Sequence, residues 1–210
     1  MTQPYVRPDV RAFLDQMEAQ GAKRAVDVSL AEARNMLHAS KHLFDAPTGE
    51  LAVIRDVEGG PCPMRIYDAR AERGPGPVMV FYHGGGFVLG DIATHEPLCA
   101  EIARLLDVPV VSVDYRLAPE HPFPAGVTDA IEAARWVASN PAELGREATG
   151  LVLAGDSAGG NFTIVTALAL RDEPAAVPVV VQWPIYPAAN PTEGYPSMRD
   201  FGEGYLLSKD

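Results

Sequence analysis

Cysteine is nearly absent. Cys62 and Cys99 are the two in 210 residues, too far apart for a zinc-ligand spacing or a disulfide framework. Reduced, structural thiols in a cytoplasmic protein are the expectation. Basic side chains are also outnumbered, 17 against 28 acidic ones, for a formal net charge of −11. A surface of that sign repels phosphates, so nucleic acid and anionic membrane are excluded as partners. No apolar run approaches a membrane span, and the opening MTQPYVRPDVRAFLD has no apolar centre of a signal peptide. Histidine is missing from one region in particular. The five histidines are His38, His42, His83, His95 and His121, and none follows position 121.

What is present suffices for one globular domain: 47% of the residues are hydrophobic and 21% charged. A chain of this length buries a core without metal or disulfide staples. Two helices are expected first. Val10, Phe13, Leu14 and Met17 recur at helical spacing, with Gly21 as the stop; Leu30, Ala33, Met36 and Leu37 form a second apolar face behind a Ser29–Glu32 capping box. Strands follow around Leu51–Val57 and Met64–Tyr67. From there strand and helix alternate: strand Val78–Tyr82, helix Pro97–Leu106, strand Val108–Val113, helix Thr128–Ser139, strand Leu151–Ala154, helix Ala158–Leu170, strand Val177–Trp183. Continuous Val/Leu strands separated by amphipathic helices predict a mostly parallel sheet covered on both faces, an α/β fold. The last stretch, GYPSMRDFGEGYLLSKD, reads as the start of a helical excursion.

Two motifs carry chemistry. In LVLAGDSAGGN the pattern G-x-S-x-G sits between a strand and a helix. Such a turn exposes Ser157 at its apex, and Gly155 and Gly159 flank it because side chains there would collide as strand and helix close together. Asp156 points away from the apex and is expected to make a structural hydrogen bond. The helix N-terminus beside the serine offers backbone N–H groups to developing negative charge. The second motif, FYHGGGFVLGD, follows the first strand of the alternating run. Gly84, Gly85 and Gly86 let main-chain amides approach a substrate closely, and one such donor is worth about 10²–10³ in the rate of acyl transfer. The segment is no phosphate cradle, because it lacks G-K-[ST] and does not fit G-x-G-x-x-G.

HGGGF at 83–87, DYRLAPEHPFPA at 114–125 and GDSAGG at 155–160 together resemble the hormone-sensitive lipase family of bacterial carboxylesterases, in its GDSAG branch. The resemblance runs along essentially the whole chain. It implies an α/β-hydrolase fold, with residues 1–45 as N-terminal cap helices and 46–210 as a C-terminally incomplete core. It implies Ser157 as nucleophile and the backbone amides of Gly85, Gly86 and Ala158 as the oxyanion hole, with His83 holding the loop in place. The substrate it implies is a small-molecule ester of short to medium acyl chain, with no metal and no cofactor. Arg116 and Glu120 are expected to make scaffold contacts, and His95 and His121 to bond loops or helix starts. Trp183 and Tyr186 either line the acyl pocket or pack in the core. Phe13 and Met17 either touch substrate or are simply buried.

In this fold the triad runs Ser, then Asp or Glu, then His along the chain. No histidine follows Ser157, and none of the later carboxylates carries the family's acid motif. His38 or His42 on a cap helix is the substitute left open within the chain. Losing a triad member costs on the order of a millionfold in turnover, so the chain alone is expected to be nearly inactive. The sequence is therefore read as the N-terminal part of a longer esterase. A second polypeptide completing the sheet is the alternative, since VPVVVQWP would otherwise present a bare strand edge. A homodimer is also left open. Two rival functions are a ligand-binding pseudoenzyme, as in the family's plant hormone-receptor branch, and an amidase or peptidase.

Overall fold

The computed structural model describes residues 4–21, 23–190, 195–205 and 207. Two compact units emerge, residues 34–189 and residues 1–33 with 190–210. The larger holds a six-stranded sheet: β1 (Val53–Val57), β2 (Met64–Asp68), β3 (Gly76–Tyr82), β4 (Val110–Val113), β5 (Ala148–Asp156) and β6 (Val179–Ile185), in the spatial order β1-β2-β4-β3-β5-β6. β2 runs antiparallel to both β1 and β4, and the other pairings are parallel.

Alternation along β3 explains the layers. Val78, Val80 and Tyr82 join the core on one face, with Ala130, Ala133 and Val137 of α4 (Ala125–Ala138) and Phe162 and Leu170 of α5 (Ala158–Asp172). Met79 and Phe81 face the other way, onto Cys99, Ala100 and Ile102 of α3 (Ile92–Leu106). Both faces of the sheet are thus covered by helices, as expected for continuous apolar strands. The alanine face of α4 lets helix and sheet approach closely, and the Tyr82 hydroxyl donates to the Ala130 carbonyl at 2.9 Å.

α3 begins at Ile92, five residues ahead of its expected start at Pro97. Asp91 is the N-cap: its carboxylate accepts the Thr94 N–H at 2.8 Å, and its own N–H donates to the Thr94 hydroxyl at 2.9 Å. Pro97 sits inside the helix and cannot donate to the Ala93 carbonyl four residues back. The Lys41 ammonium fills that vacancy at 3.0 Å, so the proline neither breaks nor starts the helix. The sheet's other end is an open edge. Val180, Val181 and Trp183 of β6 are exposed by about half or a little less (53%, 49% and 42%).

Residues Tyr82 and Gly155 pair in register, so β3 and β5 end level with each other. The loops leaving these two central strands therefore emerge side by side, at the point where β3 has β4 on one flank and β5 on the other. In open α/β sheets that switch point is where ligands bind.

The smaller unit contains α1 (Pro8–Ala19), a 3₁₀ turn at Ala25–Asp27 and the short α6 (Pro196–Asp200). Phe13, Leu14 and Met17 lie half-buried along one face of α1. Arg11 donates to the Tyr205 hydroxyl at 3.2 Å within this unit. Here α2 (Leu30–Phe44) starts, with half of its expected capping box. The Glu32 N–H reaches Ser29 Oγ at 3.3 Å, but the Glu32 carboxylate takes Lys23 at 2.9 Å instead of closing the box. Among the described residues, no helix is long and apolar enough to cross a membrane.

Candidate active site

β5 ends at Asp156 and α5 begins at Ala158, leaving Ser157 at φ 52°, ψ −112°. Few side-chain-bearing residues adopt that conformation, and holding it costs on the order of 1–3 kcal/mol. The main chain around it is clamped. The Ser157 N–H donates to the Ile185 carbonyl at 2.9 Å, and the Ser157 carbonyl accepts from Ala188 and Asn161, each at 3.1 Å. The glycines on either side are dictated by space. A Cβ at Gly155 would fall 2.5 Å from the Gly159 carbonyl oxygen, and one at Gly159 would overlap the Tyr82 carbonyl and stand 2.7 Å from the His83 oxygen. Among the described residues Ser157 Oγ has no hydrogen-bond partner.

The triple-glycine loop lies beside this turn and is pinned from both ends of one residue. The Gly84 N–H donates to Asp156 Oδ1 at 2.8 Å, and the Gly84 carbonyl accepts from His83 Nδ1 at 2.7 Å. Gly84 C=O and Gly85 N–H belong to one rigid peptide plane, so fixing the carbonyl fixes the aim of the Gly85 amide. A side chain at Gly84 would strike the Asp156 carboxylate. Gly85 (φ 125°) and Gly86 (φ 61°) both need the left-handed side of conformational space, and a Cβ at Gly85 would overlap the Leu89 carbonyl. Val88 and Leu89 fold back to the Gly85 oxygen at 3.1 and 2.8 Å, closing the loop. No main-chain acceptor in the described turns, loops and caps takes the N–H of Gly85, Gly86 or Ala158.

His83 is fully buried, and its carbonyl accepts from the Tyr115 hydroxyl at 2.7 Å. The two rings stack at 4.2 Å between centroids, and Phe162 packs edge-on to Tyr115 at 4.6 Å and to Phe87 at 5.3 Å. Burial pushes the His83 imidazole down to about 4, so at neutral pH it is uncharged. A carbonyl on Nδ1 requires the Nδ1–H tautomer, and among the described residues the buried Nε2 has no partner. The ring is a strut under the loop.

The remaining histidines are engaged elsewhere or lie apart. His38 Nε2 meets Asp91 at 2.8 Å, and His95 Nε2 faces Asp156 at 3.4 Å. The His42 side chain lies outside those described. His121 is exposed, and its N–H donates to the Leu117 carbonyl in a turn. Arg116 holds Asp129 through two nitrogens at 2.7–3.1 Å. Trp183 is partly exposed, and Tyr186 lies beyond the end of β6, largely exposed, at φ 33°.

Two contributors escape sequence reasoning. Arg34 grips Glu120 through both carboxylate oxygens at 2.7 and 2.8 Å and also donates to the carbonyls of Val88 and Ala118, at 3.0 and 3.3 Å. One guanidinium thus ties α2 to the end of the glycine loop and to the segment after β4. The fork holds the Glu120 carboxyl down at about 2. Asp114, at the end of β4, shares a cavity of about 380 Å³ with Asp56, Asp91, Met64 and Arg65. Burial and then the Asp91 charge raise it to about 6. Among the described residues no three His, Cys, Asp or Glu side chains converge as metal ligands would. Neither cysteine is paired, and burial pushes both thiols up to about 12.

Residues 79–210 match the sequence profile of the alpha/beta hydrolase fold family. The chain belongs to that family. Within it, the likeness to hormone-sensitive lipase relatives holds. The chain is 38% identical over 220 residues to carboxylesterase NlhH of Mycobacterium tuberculosis, covering 100% of this sequence and 67% of that protein. It is 44% identical over 193 residues to the carboxylic ester hydrolase LipN of the same species, covering 88% and 51%. A hyperthermophilic esterase from Pyrobaculum calidifontis superposes with a TM-score of 0.82 at 39% identity, over 98% of this chain and 67% of that one. A thermostable esterase from Pseudomonas putida gives 0.87 at 27% identity, over 99% and 66%. The chain therefore spans about two thirds or less of the length of these relatives, and its kind is that of serine hydrolase-like enzymes.

Proposed function

We propose that this alpha/beta hydrolase chain carries the nucleophile and oxyanion hole of a carboxylic ester hydrolase acting on small-molecule esters of short to medium acyl chain. The observation that carries the reading is the strained Ser157, presented at the N-terminus of α5 beside a glycine loop whose Gly84 is bonded to Asp156. Ser157 Oγ attacks the ester carbonyl, and the N–H groups of Gly85, Gly86 and Ala158 receive the negative charge that develops on its oxygen. His83, Gly84 and Asp156 keep those amides aimed, and Gly155 and Gly159 permit the turn. Among the described residues no histidine side chain is bonded to Ser157: His83 holds Gly84, His38 meets Asp91 and His95 faces Asp156, so none of these three is assigned as the proton acceptor. Relatives curated as carboxylesterases and esterases support the substrate class.

The test is covalent labelling of Ser157 by a fluorophosphonate, with hydrolysis of p-nitrophenyl butyrate alongside. Labelling that disappears in Ser157→Ala supports the reading. The unpartnered Ser157 hydroxyl also fits a ligand-binding pseudoenzyme, and tight binding of an ester analogue without labelling would favour that function instead.

A further inference from the structure

We propose that His95 is a positioning residue for the oxyanion loop, acting through Asp156 on the Gly84 amide. One oxygen makes the connection. Asp156 Oδ1 accepts the Gly84 N–H at 2.8 Å and faces His95 Nε2 at 3.4 Å. Both side chains are shielded, at 14% and 11% exposure, so water competes poorly for either.

The other side of the imidazole is held as well. His95 Nδ1 stands 2.9 Å from the Thr94 hydroxyl, which also meets the Asp91 carbonyl at 2.8 Å and receives the Asp91 N–H at 2.9 Å. That hydroxyl has a single proton to give. Given to His95 Nδ1, it leaves the proton of the neutral ring on Nε2, pointing at Asp156. That tautomer sets a donor opposite the Asp156 carboxylate, the favoured pairing for a ring nitrogen and a carboxylate oxygen 3.4 Å apart. The chain Asp91–Thr94–His95–Asp156–Gly84 therefore runs from the N-cap of α3 to the loop, while His83 holds the opposite end of the same glycine. His83, 5.5 Å from His95 between ring centroids, donates its one proton to Gly84 and does not compete for Asp156.

The kinetic consequence rests on the ester-hydrolase reading; the structural one does not. Amide exchange at Gly84 is measured by NMR in the wild type, His95→Phe and His95→Gln, because the terminal amide of glutamine reproduces an Nε2 donor. Exchange is expected to rise about tenfold in His95→Phe and to stay near wild type in His95→Gln. For p-nitrophenyl butyrate, kcat is expected to fall about tenfold in His95→Phe at nearly constant KM, less than the loss of a whole oxyanion donor, and to recover in His95→Gln. Unchanged Gly84 exchange in a folded His95→Phe, or equal behaviour of the two variants, overturns the proposal. Should His95→Phe fail to fold, Thr94→Val removes the Nδ1 partner and is read the same way, with unaltered exchange again refuting it. Because the chain alone is expected to be nearly inactive, a wild type that hydrolyses no ester counts against neither reading, and the exchange measurement still decides this one.

Discussion

Replacing Ser157 by glycine should make the protein more stable than replacing it by alanine. Both changes remove the nucleophile, and Ser157 Oγ caps no helix N–H, so losing the hydroxyl costs no hydrogen bond. They differ in the backbone. Alanine keeps a Cβ at φ 52°, ψ −112°, where a side chain costs about 1–3 kcal/mol, whereas glycine is at ease there. Glycine gives back about 0.4–1 kcal/mol through the greater freedom of its unfolded chain. It regains part of that as the better N-cap of the two. A net advantage of about 1–2 kcal/mol remains, and a chain of this size gains about 2–4 °C in Tm per kcal/mol. Scanning calorimetry of Ser157→Gly and Ser157→Ala in parallel, with fluorophosphonate labelling to confirm that both are dead, measures the difference. A glycine variant that melts with or below the alanine variant would show that the turn stores no strain.

Gly159→Ala forces a Cβ into the Tyr82 carbonyl and should cost at least about 3 kcal/mol, whereas Gly86→Ala meets open space and costs about 1–2 kcal/mol of left-handed strain; urea unfolding ranks the two. Asp114, raised to about 6 from the usual 3.8, binds its proton more tightly folded than unfolded. Stability is therefore lost as pH rises from about 4 through 6, opposed only in part by the partial exposure of the group. Asp114→Asn should flatten that loss, melting above wild type at pH 7 and level with it near pH 4. The fully buried thiol of Cys99, pushed to about 12, should resist a disulfide reagent at pH 8 until urea unfolds the chain, with the half-buried Cys62 reacting first; rapid labelling of Cys99 in the native protein would contradict its burial.

The sequence showed the central sheet most clearly, because β3, β4 and β5 are buried on both faces and so read as unbroken apolar runs. The serine turn and the glycine loop were legible for a related reason, since each needs glycine at fixed offsets whatever surrounds it. The start of α3 was not. Proline usually marks a first helical turn, and only the tertiary arrival of Lys41 at the Ala93 carbonyl explains its place at the sixth position of α3. The Ser29–Glu32 pair failed halfway because Lys23 offered Glu32 a charged partner. Arg34 and His95 act on groups 54–86 and 61 positions away along the chain. On their own helices they look like any solvated polar residue, so periodicity says nothing of what they hold.

Strain at Ser157 persists only if something opposes its release, and that opposition comes largely from β6. The Ile185 carbonyl takes the Ser157 N–H, and the Ala188 N–H, just past the strand, takes the Ser157 carbonyl. β5 is buried between β3 and β6, yet β6 is an edge of the sheet and has no fully buried residue. Local opening in native proteins starts where burial is least. The Ser157 amide should therefore exchange at the pace of β6 amides that face β5, such as Trp183, and faster than the Ala154 amide three residues upstream, which faces β3. Hydrogen exchange followed by NMR compares the three directly. A Ser157 amide as slow as that of Ala154 would mean that the turn is braced from within β5 and α5, and that the edge strand contributes nothing to holding the nucleophile.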